Sequence, residues 1–438
     1  MLNKNQELVT REGEKVELIS PLVDGAHCNV YRVMYNDEPY ILKWNENDDY
    51  AYYKTLESTI ELLRDCEELI SPKAIVINED SDGASNRFGY LMPEVTADYH
   101  KLTDYFRMSN DPKSIAFSSY RAQLKVALDI VSFMQKIHLR GLLMNIEPDD
   151  IYINNETGAI RIVDSEKVFF NGVNETMRGG NLAYLAPEIP RSDYELNPSV
   201  KTDKYPMAVV LYRLFFVDHP MEGKVWEKYP LLTDKVEVDL YALNPVFHFN
   251  LEDSSNRPTE CYAVKAAQRW RVYPKELRDV FVKTFTKGIN DPNNRPSENE
   301  WISVLSNVRD KLILIHQGRE QFVNFSDLKS IPPRCLDLKI GSNHMAIYPQ
   351  KAIYQISVDG NAREYATIVG GIVYDKQANK MKIRNMSSKV WRCYDPTTKQ
   401  LTDVGKGQEY PLFPGAMIEF HRDQPKIVGE ISDPKANK

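Results

Sequence analysis

The chain has 438 residues, of which 42% are apolar and 27% are charged, and its formal net charge is −7. One hydrophobic core rarely serves so many residues, so the length predicts two or three globular domains. The acidic balance, without a clustered basic stretch, disfavours a nucleic-acid partner, because phosphate binding needs a basic face.

The N-terminal region has mainly strand-like sequences. Residues 28–35 (CNVYRVMY) and 39–44 (PYILKW) flank the polar turn Asn36-Asp37-Glu38, which predicts a β-hairpin. Residues 50–66 have a helical pattern, and residues 88–95 (FGYLMPEV) predict a buried strand.

After residue 95 the spacing of the apolar residues changes to the 3.6-residue period of a helix. A single apolar stripe predicts one long helix; its members are Leu124, Ala127, Leu128, Val131, Met134 and Ile137. Residues 150–153 (DIYI) and 159–163 (AIRIV) bracket a polar turn and predict a second hairpin. Helical patterns continue to about residue 315, with Thr202 expected to cap a helix over 203–217.

The C-terminal quarter is predicted to be all β. Residues 316–335 are polar and end in Ile-Pro-Pro-Arg, which predicts a linker. Short strand-like runs between turn clusters then predict a small antiparallel sandwich over 336–432. The tail, residues 433–438, is expected to be disordered. The fold class expected for the whole chain is therefore α+β.

The order of these elements, together with several short motifs, resembles the protein-kinase fold. A strand ends near Lys43 (YILKW), a hairpin leads into Asp164 (IVDSE), and Ala186-Pro187-Glu188 follows at kinase spacing. The resemblance implies a bilobal kinase-like fold followed by the small all-β sandwich. It also implies an N-terminal lobe over residues 1–95 and a C-terminal lobe over 96–315.

The resemblance implies a nucleotide site on the N-terminal lobe. Lys43 matches the lysine that pairs with the α- and β-phosphates. Gly25 and Val30 match what remains of the glycine-rich loop, where Val23 and Cys28 replace two glycines.

Other residues complete the implied nucleotide-binding set. Glu57 matches the helical carboxylate that holds the lysine, and Glu61, one turn later, is the alternative. The implied nucleotide-binding set also includes Met92 and Glu94.

The catalytic loop departs from the kinase pattern H-R-D-x-x-x-x-N, because residues 143–150 read LMNIEPDD. Asn145 stands where the proton-accepting aspartate is expected, and an amide cannot act as a base at neutral pH. Glu147 replaces the usual lysine near the transferred phosphoryl group. Met144 replaces the arginine that responds to phosphorylation of the activation loop.

Two carboxylates occupy the metal positions implied by the resemblance. Asp164 and Asp150 offer hard oxygen ligands suited to Mg²⁺ or Mn²⁺. The implied cofactors are therefore ATP, or another nucleotide, with magnesium or manganese. No zinc is expected, because only Cys335 stands where many bacterial kinases that the chain resembles carry a cysteine-rich zinc ribbon.

Three further residues match structural positions of the kinase fold. Asp203 matches the aspartate that braces the catalytic-loop backbone. Arg295 matches the arginine that pairs with the glutamate of Ala-Pro-Glu, here Glu188.

A narrower resemblance extends over roughly residues 20–430. The strings RFGYLMP, HPMEGK and FHFNLEDSSNRP resemble bacterial kinases encoded near tellurite-resistance and stress genes. Such kinases occur beside a von Willebrand factor A protein and a 2C-type protein phosphatase, which implies protein partners of these two kinds. The C-terminal strands faintly resemble forkhead-associated sandwiches, but the residues that read phosphothreonine are missing, so a structural or docking module is expected.

The sequence also bears on location. The most apolar run, residues 208–217, contains Arg213 and is too short for a membrane span, which needs about 20 residues. The five cysteines are scattered and never spaced C-x-x-C, which favours a reducing compartment. The expected location is the cytoplasm, with no membrane partner.

Two functions remain open on these residues. The first is a pseudokinase that binds nucleotide and metal and presents a fixed conformation to partners. The alternative is a working Ser/Thr kinase of low or atypical activity, transferring a phosphoryl or a nucleotidyl group, as the retention of Lys43 and Asp164 suggests. Met144 and Asp150 favour a naturally altered loop over an engineered change at Asn145 alone.

Overall fold

A computed structural model describes residues 2, 8–24, 28–45, 61–63, 66–78, 88–163, 167–172, 181–315, 318–421 and 426–436. The contacts within the chain divide it into two compact units. The first unit consists of Met1–Ala116 and Phe133–Val210, and the second of Phe117–Ser132 and Leu211–Lys438.

The first unit begins with a closed antiparallel barrel. Its strands are β1 (Leu8–Thr10), β2 (Lys15–Asp24), β3 (Cys28–Tyr35), β4 (Glu38–Asn45), β5 (Ala74–Asn78) and β6 (Phe88–Pro93). They pair in the order β1-β2-β3-β4-β6-β5, and β1 closes the barrel on β5. The core is a cluster of buried side chains: Leu8, Val16, Tyr31, Val33, Leu42, Trp44, Val76 and Leu91. Closure leaves no open strand edge in this sheet.

The turn between β3 and β4 confirms the first predicted hairpin. Asn36 and Asp37 have φ values of 51° and 60°. Two consecutive residues with positive φ form the two-residue turn that best matches the twist of an antiparallel pair. Asn and Asp tolerate this conformation better than most other residues.

The rest of the first unit is a mixture of short strands and helices. These elements are β7 (His100–Lys101), α1 (Leu102–Tyr105), β8 (Leu142–Leu143), β9 (Ile151–Ile153), β10 (Ile160–Ile162), β11 (Phe169–Phe170) and α3 (Glu188–Arg191). Helices α2 (Tyr120–Leu139) and α4 (Val200–Phe216) contribute residues to both units. All six members of the predicted α2 stripe are buried, and β9 pairs with β10 as the second predicted hairpin.

Helix α4 begins three residues before the predicted start, so the expected cap at Thr202 is wrong. Ser199 precedes the helix, and its N–H donates to Thr202 Oγ1 at 3.3 Å. The N–H of Thr202 is in turn 3.5 Å from Ser199 Oγ. This reciprocal arrangement satisfies backbone groups at the helix start, so Ser199 takes the capping role.

The second unit combines helices with two larger β-sheets. Its helices are α5 (Asp234–Val238), α6 (Val264–Arg269), α7 (Lys275–Phe285), α8 (Lys287–Asn290), α9 (Glu298–Asp310) and α10 (Gln355–Asp359). Its strands are β12 (Leu312–Leu314), β13 (Glu320–Phe322), β14 (Leu336–Ile340), β15 (Asn343–Ile347), β16 (Ala352–Tyr354), β17 (Ile368–Asp375), β18 (Lys380–Asn385), β19 (Trp391–Asp395), β20 (Gln400–Val404), β21 (Glu409–Pro411), β22 (Met417–His421) and β23 (Ile427–Ser432).

The two β-sheets share one hydrophobic cluster. One sheet has the order β15-β14-β23-β22-β19-β20, and the other has the order β16-β17-β18-β21. Ile353 and Ile383 of the four-stranded sheet and Trp391 and Ile418 of the six-stranded sheet belong to the same buried cluster. This cluster removes apolar surface of both sheets from water, which is the dominant favourable term in folding.

The predicted linker, residues 316–335, contains a paired strand and packed side chains. Strand β13 pairs with β12, and Val323, Ile331 and Cys335 are buried in one cluster with Ile313 and Ala346. Residues 316 and 317 lie outside the described part of the chain.

A buried lysine between β15 and β16 connects that segment to the end of helix α9. Lys351 Nζ donates to the carbonyl oxygens of Arg309 and Leu312, both at 2.7 Å. Burial lowers the pKa of Lys351 to about 8. A cation at the C-terminal end of a helix also interacts favourably with the helix dipole.

Within the described ranges, no helix combines the length and apolar character needed to cross a membrane.

Candidate active site

One face of the barrel brings together Val30, Lys43 and Met92. Lys43 on β4 is paired in register with Val30 on β3 and Tyr90 on β6, and Ile41 is paired with Met92. Directly paired residues, and residues two apart on one strand, share a face of the sheet. This face therefore presents one ammonium group beside apolar side chains, while the alternate residues of β4 fill the barrel core.

The carboxylate of Glu94, another residue of the predicted set, forms an ion pair with Arg32. Arg32 Nε donates to Glu94 Oε2 at 3.1 Å, and Arg32 Nη2 donates to Glu94 Oε1. This two-point contact fixes the geometry of the carboxylate against β3.

Asp203 braces the loop that contains residues 143–150. The N–H of Met144 donates to Asp203 Oδ2 at 2.8 Å. His138 Nε2 is 2.9 Å from the same oxygen. A carboxylate only accepts hydrogen bonds, so Nε2 of His138 carries the proton. Asp203 is 3% exposed, so a fixed negative charge is buried directly behind the loop.

Asp150 is fully buried in the same loop, and each of its carboxylate oxygens has a partner. The N–H of Glu147 donates to Oδ2 at 2.9 Å, and the ammonium group of Lys167 contacts Oδ1 at 2.5 Å. The carboxylate of Asp150 is 0% exposed, whereas the side chain of Lys167 is 41% exposed. The lysine thus reaches from the surface to neutralise a buried charge.

Glu147 is half-buried beside this ion pair. Burial raises the pKa of its carboxyl group above the usual range, and the negative charge of Asp150 adds to the increase. The ammonium group of Lys167 and the backbone N–H of Asn181 act in the opposite direction. The position therefore favours the protonated acid more than an exposed glutamate would.

The raised pKa of Glu147 predicts a pH-dependent loss of stability. The folded state holds this proton more tightly than the unfolded state, so stability falls as pH rises above the ordinary range of a glutamate. Glu147→Gln is expected to raise Tm by about 2 °C at pH 8 and by less at pH 4.5. Thermal melts at both pH values test this; an equal shift at both would contradict it.

The side chain of Asn145 is half-exposed between Met144 and Ile146. Among the described residues it makes no hydrogen bond, whereas the backbone on either side is held by Asp203 and Asp150. The position that the kinase resemblance predicts for the proton acceptor is therefore occupied by a neutral amide, on a backbone that is held on both sides.

The loop is connected to the barrel through β10. The N–H of Val163 donates to the carbonyl oxygen of Asp150 at 2.8 Å, and Ile70 N–H donates to Ile162 at 2.7 Å. Val163 also packs against the cluster that contains Tyr90 and Met92. The chain just before position 164 therefore lies next to the cluster on the Lys43 face.

Three of the predicted site residues, Gly25, Glu57 and Asp164, lie outside the described part of the chain. Glu61, the alternative to Glu57, is exposed. In the described ranges, no group of three or more histidine, cysteine, aspartate or glutamate side chains is arranged to hold a metal ion.

Glu188 and Arg295 belong to different units, and their pairing stays a prediction. Glu188 is the first residue of α3 and is half-buried. Arg295 is 4% exposed, and its Nε donates to the carbonyl oxygen of Gly288 at 2.9 Å.

Two residues of the site were not identified from the sequence. Lys167 stands three positions after Asp164, and His138 precedes the loop by several residues. Two acids, Glu147 and Asp150, stand close together in the loop, and buried carboxylates are usually paired with a cation. This could have directed attention to a nearby lysine such as Lys167. Nothing in the local sequence indicates that His138 contacts Asp203.

Comparisons with known proteins find a weak sequence similarity to a kinase. No protein-family model matches the chain. Receptor-interacting serine/threonine-protein kinase 1 of Homo sapiens is 29% identical over 121 residues, which cover 24% of this chain and 18% of that protein. The kinase PK-1 of the Cydia pomonella granulovirus, a solved structure, matches with a TM-score of 0.47 and 15% identity, covering 66% of this chain and 92% of that chain. The sequence similarity to a kinase supports a protein-kinase-like fold.

Proposed function

We propose that this chain is a nucleotide-binding, protein-kinase-like protein that has lost efficient phosphoryl transfer and acts as a pseudokinase through its conformation. The observation that carries the proposal is the ammonium group of Lys167 on the buried carboxylate of Asp150. A kinase uses this position to hold a divalent metal ion.

The residues present fit a nucleotide better than they fit two metal ions. Val30 and Met92 offer apolar surface for a base, and Lys43 offers a cation for phosphates on the same face. A metal ion at Asp150 would compete with the ammonium group of Lys167 for the carboxylate, because Lys167 already contacts Oδ1. When bound, a metal ion would supply charge neutralisation of the phosphates, and Lys167 can supply part of that charge itself.

The amide at position 145 supports weak or absent transfer. Loss of a general base commonly costs a factor on the order of 10² to 10⁴ in rate. The backbone of the loop is nevertheless braced by Asp203, so its shape is retained without its chemistry. A protein that acts by presenting a surface to partners needs this loop conformation but not its catalytic activity.

The proposal includes the finer organisation implied by the kinase resemblance. Residues 1–95 and 96–315 would form the two lobes, and the two sheets over 336–432 would form a C-terminal sandwich. The partners would be a von Willebrand factor A protein and a 2C-type phosphatase in a bacterial stress pathway, and copurification from the native cell tests them.

A second candidate function, a slow kinase, is favoured by one observation. Glu147 lies two residues after Asn145, and burial raises the pKa of its carboxyl group. A carboxylate with a pKa nearer neutrality is a better proton acceptor than an ordinary glutamate. In this alternative Glu147 would take the role that Asn145 cannot perform.

Nucleotide binding is tested by thermal shift with ATP, with and without Mg²⁺ or Mn²⁺. We expect ATP to raise Tm by several degrees, because a ligand that binds only the folded state stabilises it. Lys43→Ala should abolish the shift, whereas Lys15→Ala, an exposed lysine on the same barrel, should preserve it. The absence of a shift in the unmodified chain under all metal conditions would refute nucleotide binding.

Labelled ATP separates the two candidate functions. The pseudokinase proposal expects no label on the chain or on a generic protein substrate. Incorporation that disappears in both Lys43→Ala and Glu147→Gln would establish the slow kinase instead.

A further inference from the structure

A cavity of about 770 Å³ lies in the second unit, at one end of the two β-sheets. It is bordered by the β17–β18 turn, the β19–β20 turn and the segment that follows β21. Its volume falls in the range of about 300–1,000 Å³ that is typical of sites for small molecules. Its lining residues include none from the Lys43 face of the barrel or from residues 143–150.

The walls of this cavity are mainly aromatic and aliphatic. Tyr348, Tyr374 and Phe413 contribute rings, and Met381 and Leu412 contribute buried apolar surface. Pro349, Pro411 and Pro414 add rigid apolar surface. Aromatic and proline side chains have few rotatable bonds, so ordering these walls when a ligand binds costs little conformational entropy.

Arg334 stands at the cavity with its guanidinium already fixed. Nη1 donates to Tyr374 Oη and to Asn379 Oδ1, both at 3.2 Å. Tyr374 Oη donates in turn to Asn379 Oδ1. An exposed arginine normally occupies many rotamers. The two partners of Arg334 lie 40 and 45 residues later in the sequence, and their hydrogen bonds restrict its side chain to one position.

The opposite edge of the same guanidinium is available to a ligand. Among the residues that the structure describes, Nε and Nη2 of Arg334 have no hydrogen-bond or ion-pair partner. These two donors form the fork that matches a carboxylate, sulfonate or phosphate group. The backbone of Arg334 has φ of 65°, a left-handed conformation that costs energy in a residue with a side chain.

We infer that this cavity binds a small amphipathic anion, whose apolar body lies against the Tyr348, Tyr374 and Phe413 rings and whose acidic group is bound by Arg334. The charges around the cavity agree with this ligand class. Lys380 adds a second cation, and Asp395 is the acid among the lining residues. The carboxylate of Asp395 accepts the N–H of Thr397 at 2.8 Å, so its charge is partly satisfied within its own turn.

The inference is tested with the full chain and two fluorescent probes of the same shape. Anilinonaphthalene sulfonate is an aromatic anion, and N-phenylnaphthylamine is its neutral counterpart. We expect saturable binding of the anion at one site, about tenfold tighter than binding of the neutral probe, because the charged hydrogen bonds are made only with the anion.

Two variants at the cavity and two control variants assign the site. Arg334→Gln should weaken the anionic probe about tenfold and leave the neutral probe unchanged. Tyr374→Phe keeps the ring but removes one anchor of Arg334, so it should weaken the anion about threefold. Arg363→Gln, an exposed arginine outside the cavity, and Lys43→Ala, in the nucleotide face, should change neither probe.

Melting curves and circular dichroism verify that each variant is folded. The inference is overturned if Arg334→Gln binds the anionic probe as tightly as the unmodified chain does. It is also overturned if the neutral probe binds equally well, because the guanidinium then contributes nothing. Neither result would bear on ATP binding, so this site and the proposed function fail independently.

Discussion

Asp203→Ala is expected to lower the free energy of unfolding by about 3 kcal/mol, because it removes a buried charge that two donors share. The N–H of Met144 and Nε2 of His138 would both lose their acceptor, at 2.8 and 2.9 Å respectively. Each would remain buried, and an unsatisfied buried donor costs about 1–3 kcal/mol. Urea denaturation followed by circular dichroism measures the loss.

Two further variants make this result specific. Asp203→Asn keeps an acceptor of the same shape, so its loss should be smaller than that of Asp203→Ala. Asp149→Ala removes an exposed carboxylate of the same loop, 3.8 Å from Lys101, and should cost less than about 1 kcal/mol. Equal losses for Asp203→Ala and Asp149→Ala would show that the hydrogen bonds of Asp203 to Met144 and His138 stabilise the fold no more than a surface charge does.

Lys167→Met is expected to destabilise the chain by about 2 kcal/mol at neutral pH, because it leaves the carboxylate of Asp150 buried without a counter-charge. This figure is below the value for a fully buried pair, since the side chain of Lys167 is 41% exposed and water screens part of the interaction.

Combining Lys167→Met with Asp150→Asn measures the coupling energy between the two side chains, apart from their interactions with other residues. An amide needs no counter-charge, so the double variant Lys167→Met/Asp150→Asn should recover most of the stability lost in Lys167→Met. Denaturant titration of the four chains completes the cycle, and additive losses would mean that the two side chains are not coupled.

The same variants connect stability with function. If Lys167 takes the place of a metal ion, Asp150→Asn should leave the ATP-induced thermal shift independent of Mg²⁺. Lys167→Met, in contrast, leaves the carboxylate of Asp150 without a competing cation, so Mg²⁺ should raise both the stability of this variant and its ATP-induced shift. A shift that requires Mg²⁺ in the unmodified chain would contradict the proposed role of Lys167.

The local patterns of the sequence determined several elements by themselves. Asn36 and Asp37 tolerate positive φ, and strand-like residues flank them, so the β3–β4 hairpin followed from nearest neighbours. The 3.6-residue period determined helix α2, because each member of the stripe points to the same side of one helix. These signals act over a few residues and need no knowledge of the rest of the chain.

The tertiary structure decided what joins distant residues. β1 closes the barrel on β5, more than 60 positions later, and Lys167 reaches Asp150 across a hairpin. The packing of residues 316–335 was likewise set by contacts that a pattern does not display. A sequence lists which charges and backbone groups need partners, but the free energy of pairing depends on distance and burial, and only the folded chain defines these.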